Sequence, residues 1–251
     1  MSTLVLIPAR LAATRLPGKP LAMIGDEPMI VRVWRRAVAA DVGPVAVAAG
    51  DAGIVDAVEA AGGRAVLTDP RLPSGSDRIL AALRLLDPGG GVQSVINLQG
   101  DMPFVDARAI AACADLLARP AACDIATLAA PEISPADRTN PDVVKVVLSL
   151  APGADAGRAL YFTRSTLFGE GPVWRHPGIY GYRRAALEAF NAAPPSPLER
   201  REGLEQLRAL ELGLSIWAAV IEAAPLSVDT PADLAAARAL AGGPLSAEAA
   251  A

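Results

Sequence analysis

Several things this sequence lacks exclude whole classes of function. Only two cysteines, Cys113 and Cys123, occur in 251 residues. Their spacing fits neither a disulfide framework nor a zinc site, so both read as small buried side chains. The formal net charge is -4, with charged residues of mixed sign making up 20% of the chain. That balance argues against a nucleic-acid binder or a protein held to an anionic membrane. No apolar run approaches the roughly 20 residues that a bilayer-spanning helix needs, and the first residues lack the long apolar stretch of a signal peptide. A soluble, cytoplasmic protein without membrane insertion is expected. Neither common phosphate-binding glycine motif is present. There is no G-x-G-x-x-G, and around Gly18-Lys19 the Walker arrangement fails, because Pro20 stands where Ser or Thr should follow. His176 is the only histidine, so a role resting on it has no substitute.

What is present is an alternation of strand-like and helix-like segments. Hydrophobic residues reach 52%, inflated by alanine, and aromatics only 4%. The length suits one large α/β domain or two small ones. Leu4–Pro8 reads as a first buried strand. The segment from Pro28 predicts a helix with Ile30, Val33, Trp34, Ala37 and Val38 on one face. Val45–Gly50 is a second strand, and Asp51 can cap the helix that ends at Gly62-Gly63. A short third strand, the helix SDRILAALRLL and a fourth strand, SVINLQGD, complete a βαβα order. Such an order predicts a mostly parallel sheet flanked by helices.

The second half is less regular. Val143–Ser149 and Gly178–Arg184 read as strands, and Gly169–Pro177 as a loop for substrate or subunit contact. Ser196-Pro197-Leu198-Glu199 is a capping box that starts a helix stopped by Gly213, and Thr230-Pro231-Ala232-Asp233 repeats the device. Residues 1–241 are expected to form a single domain, with a less regular part around 140–215, and 242–251 a frayed tail.

Two groups of residues could carry chemistry. Arg10, Arg15 and Lys19, on a loop stiffened by Pro17 and Pro20, follow the first strand. In an open α/β sheet, ligands collect beyond the carboxyl ends of strands. Three cations there can surround a polyphosphate, while Gly18 admits close backbone approach. The plain alternative is a solvated basic loop. Asp101 and Asp229 each end a strand-like segment. Brought together by the fold, two carboxylates would suit magnesium, which keeps several waters and takes its other ligands from substrate phosphates. Taken alone, Asp229 is equally a turn acid beside the Thr230 cap.

The segments IPARLAATRLPGKPL, PSGSDR, NLQGDMP, NPDVVKVV, ALYFTR, RHPGIYGYR, SPLERREGLEQLR and VDTPADL occur in this order over nearly the whole chain. This ordered set resembles the 3-deoxy-manno-octulosonate (Kdo) cytidylyltransferases. HPGIYGYR with LEQLR points to the Kdo branch rather than its sialic-acid relatives. The resemblance implies a GT-A-like nucleotidyltransferase fold. It also implies a reaction of CTP with Kdo to give CMP-Kdo and diphosphate for lipopolysaccharide synthesis, and a homodimer.

By motif position, Arg10, Arg15 and Lys19 would surround the CTP phosphates, and Ser74, Gly75 and Arg78 would help hold the cytidine. Asp101 and Asp229 would bind one or two magnesium ions, with Lys19 beside them in the catalytic group. Gln99, Arg164, His176, Tyr180, Glu205 and Gln206 would form the sugar-acid pocket.

The sequence departs from the family in three places. Met102 follows Gln99-Gly100-Asp101 where many members carry Glu, Ser76-Asp77-Arg78 replaces Thr-Glu-Arg, and the segment between Arg164 and His176 is short. Alternatives are a cytidylyltransferase for a related sugar acid such as 8-amino-Kdo and a non-catalytic nucleotide-binding regulator. A GT-A glycosyltransferase is a weaker alternative, because the chain has no Asp-x-Asp motif.

Overall fold

The computed structural model describes residues 2–12, 15–119, 123–131, 135–167 and 171–242. The tail expected to fray lies outside these residues from 243 onward, as do Gly169 and Glu170 of the expected loop. The chain begins with strand β1 (Thr3–Ala9), then a 3-10 turn (Lys19–Leu21) and two short strands, β2 (Met23–Ile24) and β3 (Glu27–Pro28). Next come α1 (Met29–Ala39), β4 (Val45–Ala49), α2 (Ala52–Ala60), β5 (Ala65–Leu67), α3 (Gly75–Leu86) and β6 (Ser94–Asn97). The middle contains α4 (Ala107–Ala118), β7 (Ile125–Pro131), α5 (Pro135–Thr139), β8 (Lys145–Ser149), β9 (Ala156–Thr163) and β10 (Trp174–Arg175). The last part comprises β11 (Tyr180–Arg183), α6 (Arg184–Ala192), α7 (Pro197–Glu202), α8 (Gln206–Glu211), β12 (Ile216–Val220) and α9 (Pro231–Ala241).

These elements gather into two compact units, each built from several chain segments. The first comprises Met1–Thr3, Gly91–Ile96 and Arg108–Ala224, and the second Leu4–Gly90, Asn97–Ala107 and Pro225–Ala251.

In the second unit β1 runs parallel to β4, from Val5 opposite Val45 to Ala9 opposite Ala49, and β4 runs parallel to β5. The parallel arrangement expected from the βαβα order is therefore present here. Both central strands are buried on both faces, which is why they read as unbroken apolar runs. α1 buries Met29, Ile30, Val31, Val33 and Ala37. Val38, expected on this face, is 48% exposed. It shares a face with the buried Val31 but lies beyond Ala37, the last buried residue of the helix. Asp51 stands at the N-cap position of α2, but its side chain makes no cap bond. Its carboxylate instead accepts from the backbone N–H of Leu11 at 2.8 Å, which ties down the loop after β1.

The first unit carries the strand order β10-β8-β9-β12-β7-β11-β6. β7 and β12 are parallel, whereas β8 with β9, β9 with β12, and β7 with β11 are antiparallel. The fold is thus α/β with a parallel sheet in one unit and a mixed sheet in the other. The helix begun by the Ser196 cap does not continue to Gly213. Gly203 ends α7 in the left-handed conformation, and α8 starts separately before Gly213 closes it. No helix among the described residues is long and apolar enough to cross a membrane.

Candidate active site

The loop after β1 delivers three cations to one place. Gly18 adopts φ 69°, and a Cβ there would meet nothing within 4 Å. Glycine adopts this left-handed conformation without strain at the turn into Lys19–Leu21, and the space beside it is open. Backbone packs closely on backbone at Gly100, where an added Cβ would lie 3.0 Å from the Pro8 carbonyl oxygen. That proximity sets Asp101 against the end of β1. The backbone N–H of Val228 donates to the Asp101 carbonyl at 2.9 Å and brings in Asp229. The Thr230 capping box then fixes the start of α9, with the N–H groups of Asp229 and Thr230 both donating to Asp233.

At the point of convergence, Lys19 Nζ donates to Asp101 Oδ2 at 2.9 Å and to Asp229 Oδ1 at 3.0 Å. Arg15 Nη2 reaches Asp229 Oδ2 at 3.5 Å, largely in solvent, where such a pair contributes little. Burial opposes the charge on Lys19, but the two carboxylates outweigh it and hold the ammonium above its ordinary pKa. Burial pushes Asp101 up from the ordinary aspartate range, and the neighbouring Asp229 adds to this against the pull of Lys19. Among the described residues, the buried Asp101 Oδ1 has no hydrogen-bond partner. A buried carboxylate oxygen left in this way is costly unless something binds it.

This donor set fits magnesium. The two carboxylates meet, one buried oxygen is unsatisfied, and a cation already bridges them. Among the described residues no group of three or more His, Cys, Asp or Glu gathers to hold an ion. A metal here would take its remaining ligands from water and substrate, as magnesium commonly does.

A cavity of about 370 Å³ opens at this cluster, lined by Arg10, Arg15, Lys19, Gln99, Asp101 and Asp229 among others. A smaller one, about 120 Å³, is lined by Arg10, Ser74, Gly75, Arg78 and Gln99 with Pro8 and Ala9. Ser74 is committed locally. Its hydroxyl accepts from the Asp77 N–H at 3.1 Å and donates to Asp77 Oδ2 at 2.6 Å, capping α3. Arg78 is 2% exposed and donates to Thr68 Oγ1 at 2.7 Å and to the carbonyls of Asp69 and Pro70. It therefore orders the loop after β5 as well as lining the cavity. Arg10 is its like-charged neighbour, which together with burial lowers the Arg78 pKa.

Of the residues expected to hold a sugar acid, only Gln99 lies in the second unit. In the first, His176 packs edge-on against Phe162 and Tyr180, with ring centroids 4.8 and 5.2 Å apart. Burial lowers the His176 pKa to about 3 and raises that of Tyr180 well above its ordinary value, with the charges of Tyr182 and Glu205 adding to the rise. Glu205 is exposed and precedes the buried Gln206, the first residue of α8. Arg164 follows β9, and its Nη1 donates to the Pro141 carbonyl at 2.9 Å.

Two residues outside the expected set support this part. Lys145 is fully buried, with Nζ donating to the carbonyls of Asn140 at 2.7 Å and Arg164 at 2.9 Å, so it fixes the backbone that carries Arg164. Thr127 contacts His176 through its hydroxyl. NPDVVKVV held a signal for Lys145, but nothing in the alanine-rich run around Thr127 marks it.

Comparison with known proteins identifies the family. A family model described as cytidylyltransferase matches residues 4–216. The 3-deoxy-manno-octulosonate cytidylyltransferase of Rhodospirillum centenum is 59% identical over 238 residues, covering 94% of this chain and 92% of its own. That of Paramagnetospirillum magneticum is 53% identical, covering 96% and 98% respectively. A solved CMP:2-keto-3-deoxy-manno-octonic acid synthetase complexed with CTP superposes with a TM-score of 0.88 at 36% identity, over 99% of this chain and 100% of that one. The chain belongs to the cytidylyltransferases, and among them to the 3-deoxy-manno-octulosonate cytidylyltransferase family.

Proposed function

We propose that this chain transfers the cytidylyl group of CTP to the anomeric hydroxyl of Kdo, releasing diphosphate, with magnesium held by Asp101 and Asp229. The observation that carries the reading is the Lys19 ammonium bonded to both carboxylates at the wall of a cavity that Arg10 and Arg15 also line. Bringing an anionic sugar acid to a triphosphate is repulsive, so the site must supply positive charge where negative charge accumulates. Lys19, Arg10 and Arg15 supply it from the protein, around the phosphates. A bound magnesium ion would neutralise charge at the α-phosphate and make the attacking hydroxyl more acidic. Positioning and electrostatics then account for most of the acceleration, as in other phosphoryl transfers.

Ser74, Gly75 and Arg78 border the smaller cavity and serve the cytidine, Ser74 and Arg78 by shaping it. Arg164 grips the Kdo carboxylate, while Gln99, His176, Tyr180, Glu205 and Gln206 meet its hydroxyls. In this reading the reaction is cytoplasmic, feeds lipopolysaccharide synthesis, and is carried out by a homodimer. The test is diphosphate release from CTP, measured with and without Kdo and with and without magnesium. Release should require all three. Equal kcat/KM for CTP and UTP, or release that ignores Kdo, would overturn the assignment.

A further inference from the structure

The hydrogen bonds around His176 determine which of its nitrogens carries the proton. Thr127 lies on β7 and its hydroxyl makes two contacts, one to the Ile179 carbonyl oxygen at 2.7 Å and one to His176 Nε2 at 2.9 Å. A carbonyl oxygen can only accept, so the single hydroxyl proton of Thr127 is given to Ile179. Oγ1 is then left as an acceptor, and Nε2 must donate to it. In a neutral imidazole with its proton on Nε2, Nδ1 is a bare acceptor. Among the described residues His176 makes no side-chain hydrogen bond other than this one.

We propose that Thr127 is a positioning residue that holds His176 in the Nε2–H tautomer, so that Nδ1 offers a neutral acceptor to a hydroxyl of the sugar acid. The inference rests on the reading of His176 as a sugar-pocket residue and adds its direction of hydrogen bonding. Both escapes from this state are costly. Moving the proton to Nδ1 would set a bare Nε2 against Oγ1. Thr127 would then have to withdraw its proton from Ile179, a fully buried residue whose carbonyl would lose this donor. Adding a second proton would place a cation between the Phe162 and Tyr180 rings. Burial of the ring disfavours that form. The His176 backbone N–H is also fixed, donating to the Val144 carbonyl at 2.9 Å.

With one histidine in the chain, protein labelled with 15N at histidine yields one pair of ring-nitrogen resonances. In the wild type these should show a protonated Nε2 and an unprotonated Nδ1, unchanged as pH falls from roughly 8 to 5, where an ordinary histidine titrates. Thr127→Val should mix the tautomers and raise KM for Kdo about five- to ten-fold, the usual value of one hydrogen bond. kcat and calorimetric CTP binding should stay close to wild type, and Thr127→Ser should restore both spectrum and KM. The wild-type spectrum needs no variant, so a poorly folding Thr127→Val leaves the test intact. A wild-type ring protonated on Nδ1, or ring resonances indifferent to Thr127→Val, overturns the proposal. If His176→Ala raises KM for Kdo while Thr127→Val does not, the positioning role fails and the pocket reading stands. If His176→Ala also leaves KM unchanged, the pocket reading itself is wrong.

Discussion

The chain uses one local device twice and draws different chemistry from each copy. Ser196-Pro197-Leu198-Glu199 and Thr230-Pro231-Ala232-Asp233 both form complete capping boxes with proline just inside the helix. In the first copy the cap's acid is also half of an ion pair. Glu199 accepts from Arg208 Nη2 at 2.6 Å and Nε at 2.8 Å, while Arg208 also lies 4.4 Å over the Phe190 ring and donates to two backbone carbonyls. Every oxygen of that carboxylate is bonded, and both side chains are about nine-tenths buried. In the second copy the cap's acid, Asp233, holds the cap itself through the Asp229 and Thr230 N–H groups and the Thr230 hydroxyl, and the residue before the cap, Asp229, extends to Lys19 beside Asp101. There one buried oxygen has no partner among the described residues. A closed ionic cluster stabilises a fold, whereas an open one holds unsatisfied charge ready for a ligand.

The largest effect should come from the open cluster. Asp101→Asn and Asp229→Asn are each expected to lower kcat by about a thousand-fold or more, since removing a charge-stabilising group typically costs several kcal/mol of barrier. Stability should behave oppositely. Because burial raises the Asp101 pKa, the native state holds that proton to higher pH than the unfolded chain does, and ionising Asp101 works against folding as pH rises through that range. Replacing it with Asn removes this penalty and leaves Lys19 paired with Asp229. Thermal melts at neutral pH should therefore show Asp101→Asn no less stable than wild type. An Asp101→Asn protein that turns over normally at millimolar magnesium would make the cluster structural, like its counterpart.

Breaking the closed cluster should give the reverse pattern. Arg208→Ala leaves Glu199 charged, buried and without its fork, a change that typically costs about 3–5 kcal/mol. Urea unfolding should register that loss, while kcat at saturating substrates stays near wild type in the folded fraction. Double replacement of Glu199 and Arg208 by apolar residues of similar size should recover much of it, since a buried pair is rarely better than good packing. A large fall in kcat with unchanged stability would place Arg208 among the functional residues.

How much of this was legible in the sequence depends on range. Both capping boxes were readable because the four residues that build each are contiguous, and β1 and β4 because burial on both faces leaves an apolar run. β7, β9 and β12 were not identified, since IATLAAP, AGRALYFT and IWAAV are diluted by alanine and glycine and offer little contrast. The meeting of Lys19 with Asp101 and Asp229 spans 82 and 210 residues, so no local pattern encodes it, and only the resemblance named the three together. Asp51 was misread for the same reason. A cap position is visible in sequence, whereas its actual partner, the Leu11 N–H, lies 40 residues away.

The smallest effect tests whether the second capping box does more than cap. Ser196→Ala and Thr230→Ala each remove a side-chain oxygen that accepts from the third helical residue, at 3.3 and 3.2 Å, and each should cost about 1 kcal/mol of stability. If the boxes were equivalent, the two variants would also be equivalent in activity. They should differ, because Thr230 also donates its hydroxyl to Asp233 Oδ2 at 2.8 Å, the same oxygen that receives the N–H of Asp229. Losing that contact loosens the acceptor that holds the Asp229 backbone, while the Thr230 N–H bond to the same oxygen remains. A modest fall in kcat follows, about ten-fold or less, because the lost bond to the Asp233 carboxylate reaches the Asp229 side chain only through its backbone. Ser196→Ala should leave kcat untouched, and Thr230→Ser, which keeps the hydroxyl, should restore it. Steady-state kinetics alongside urea unfolding for the three variants makes the comparison. Equal kcat for Ser196→Ala and Thr230→Ala would reduce the second box to a stability device and leave the placement of Asp229 to the Val228–Asp101 backbone bond.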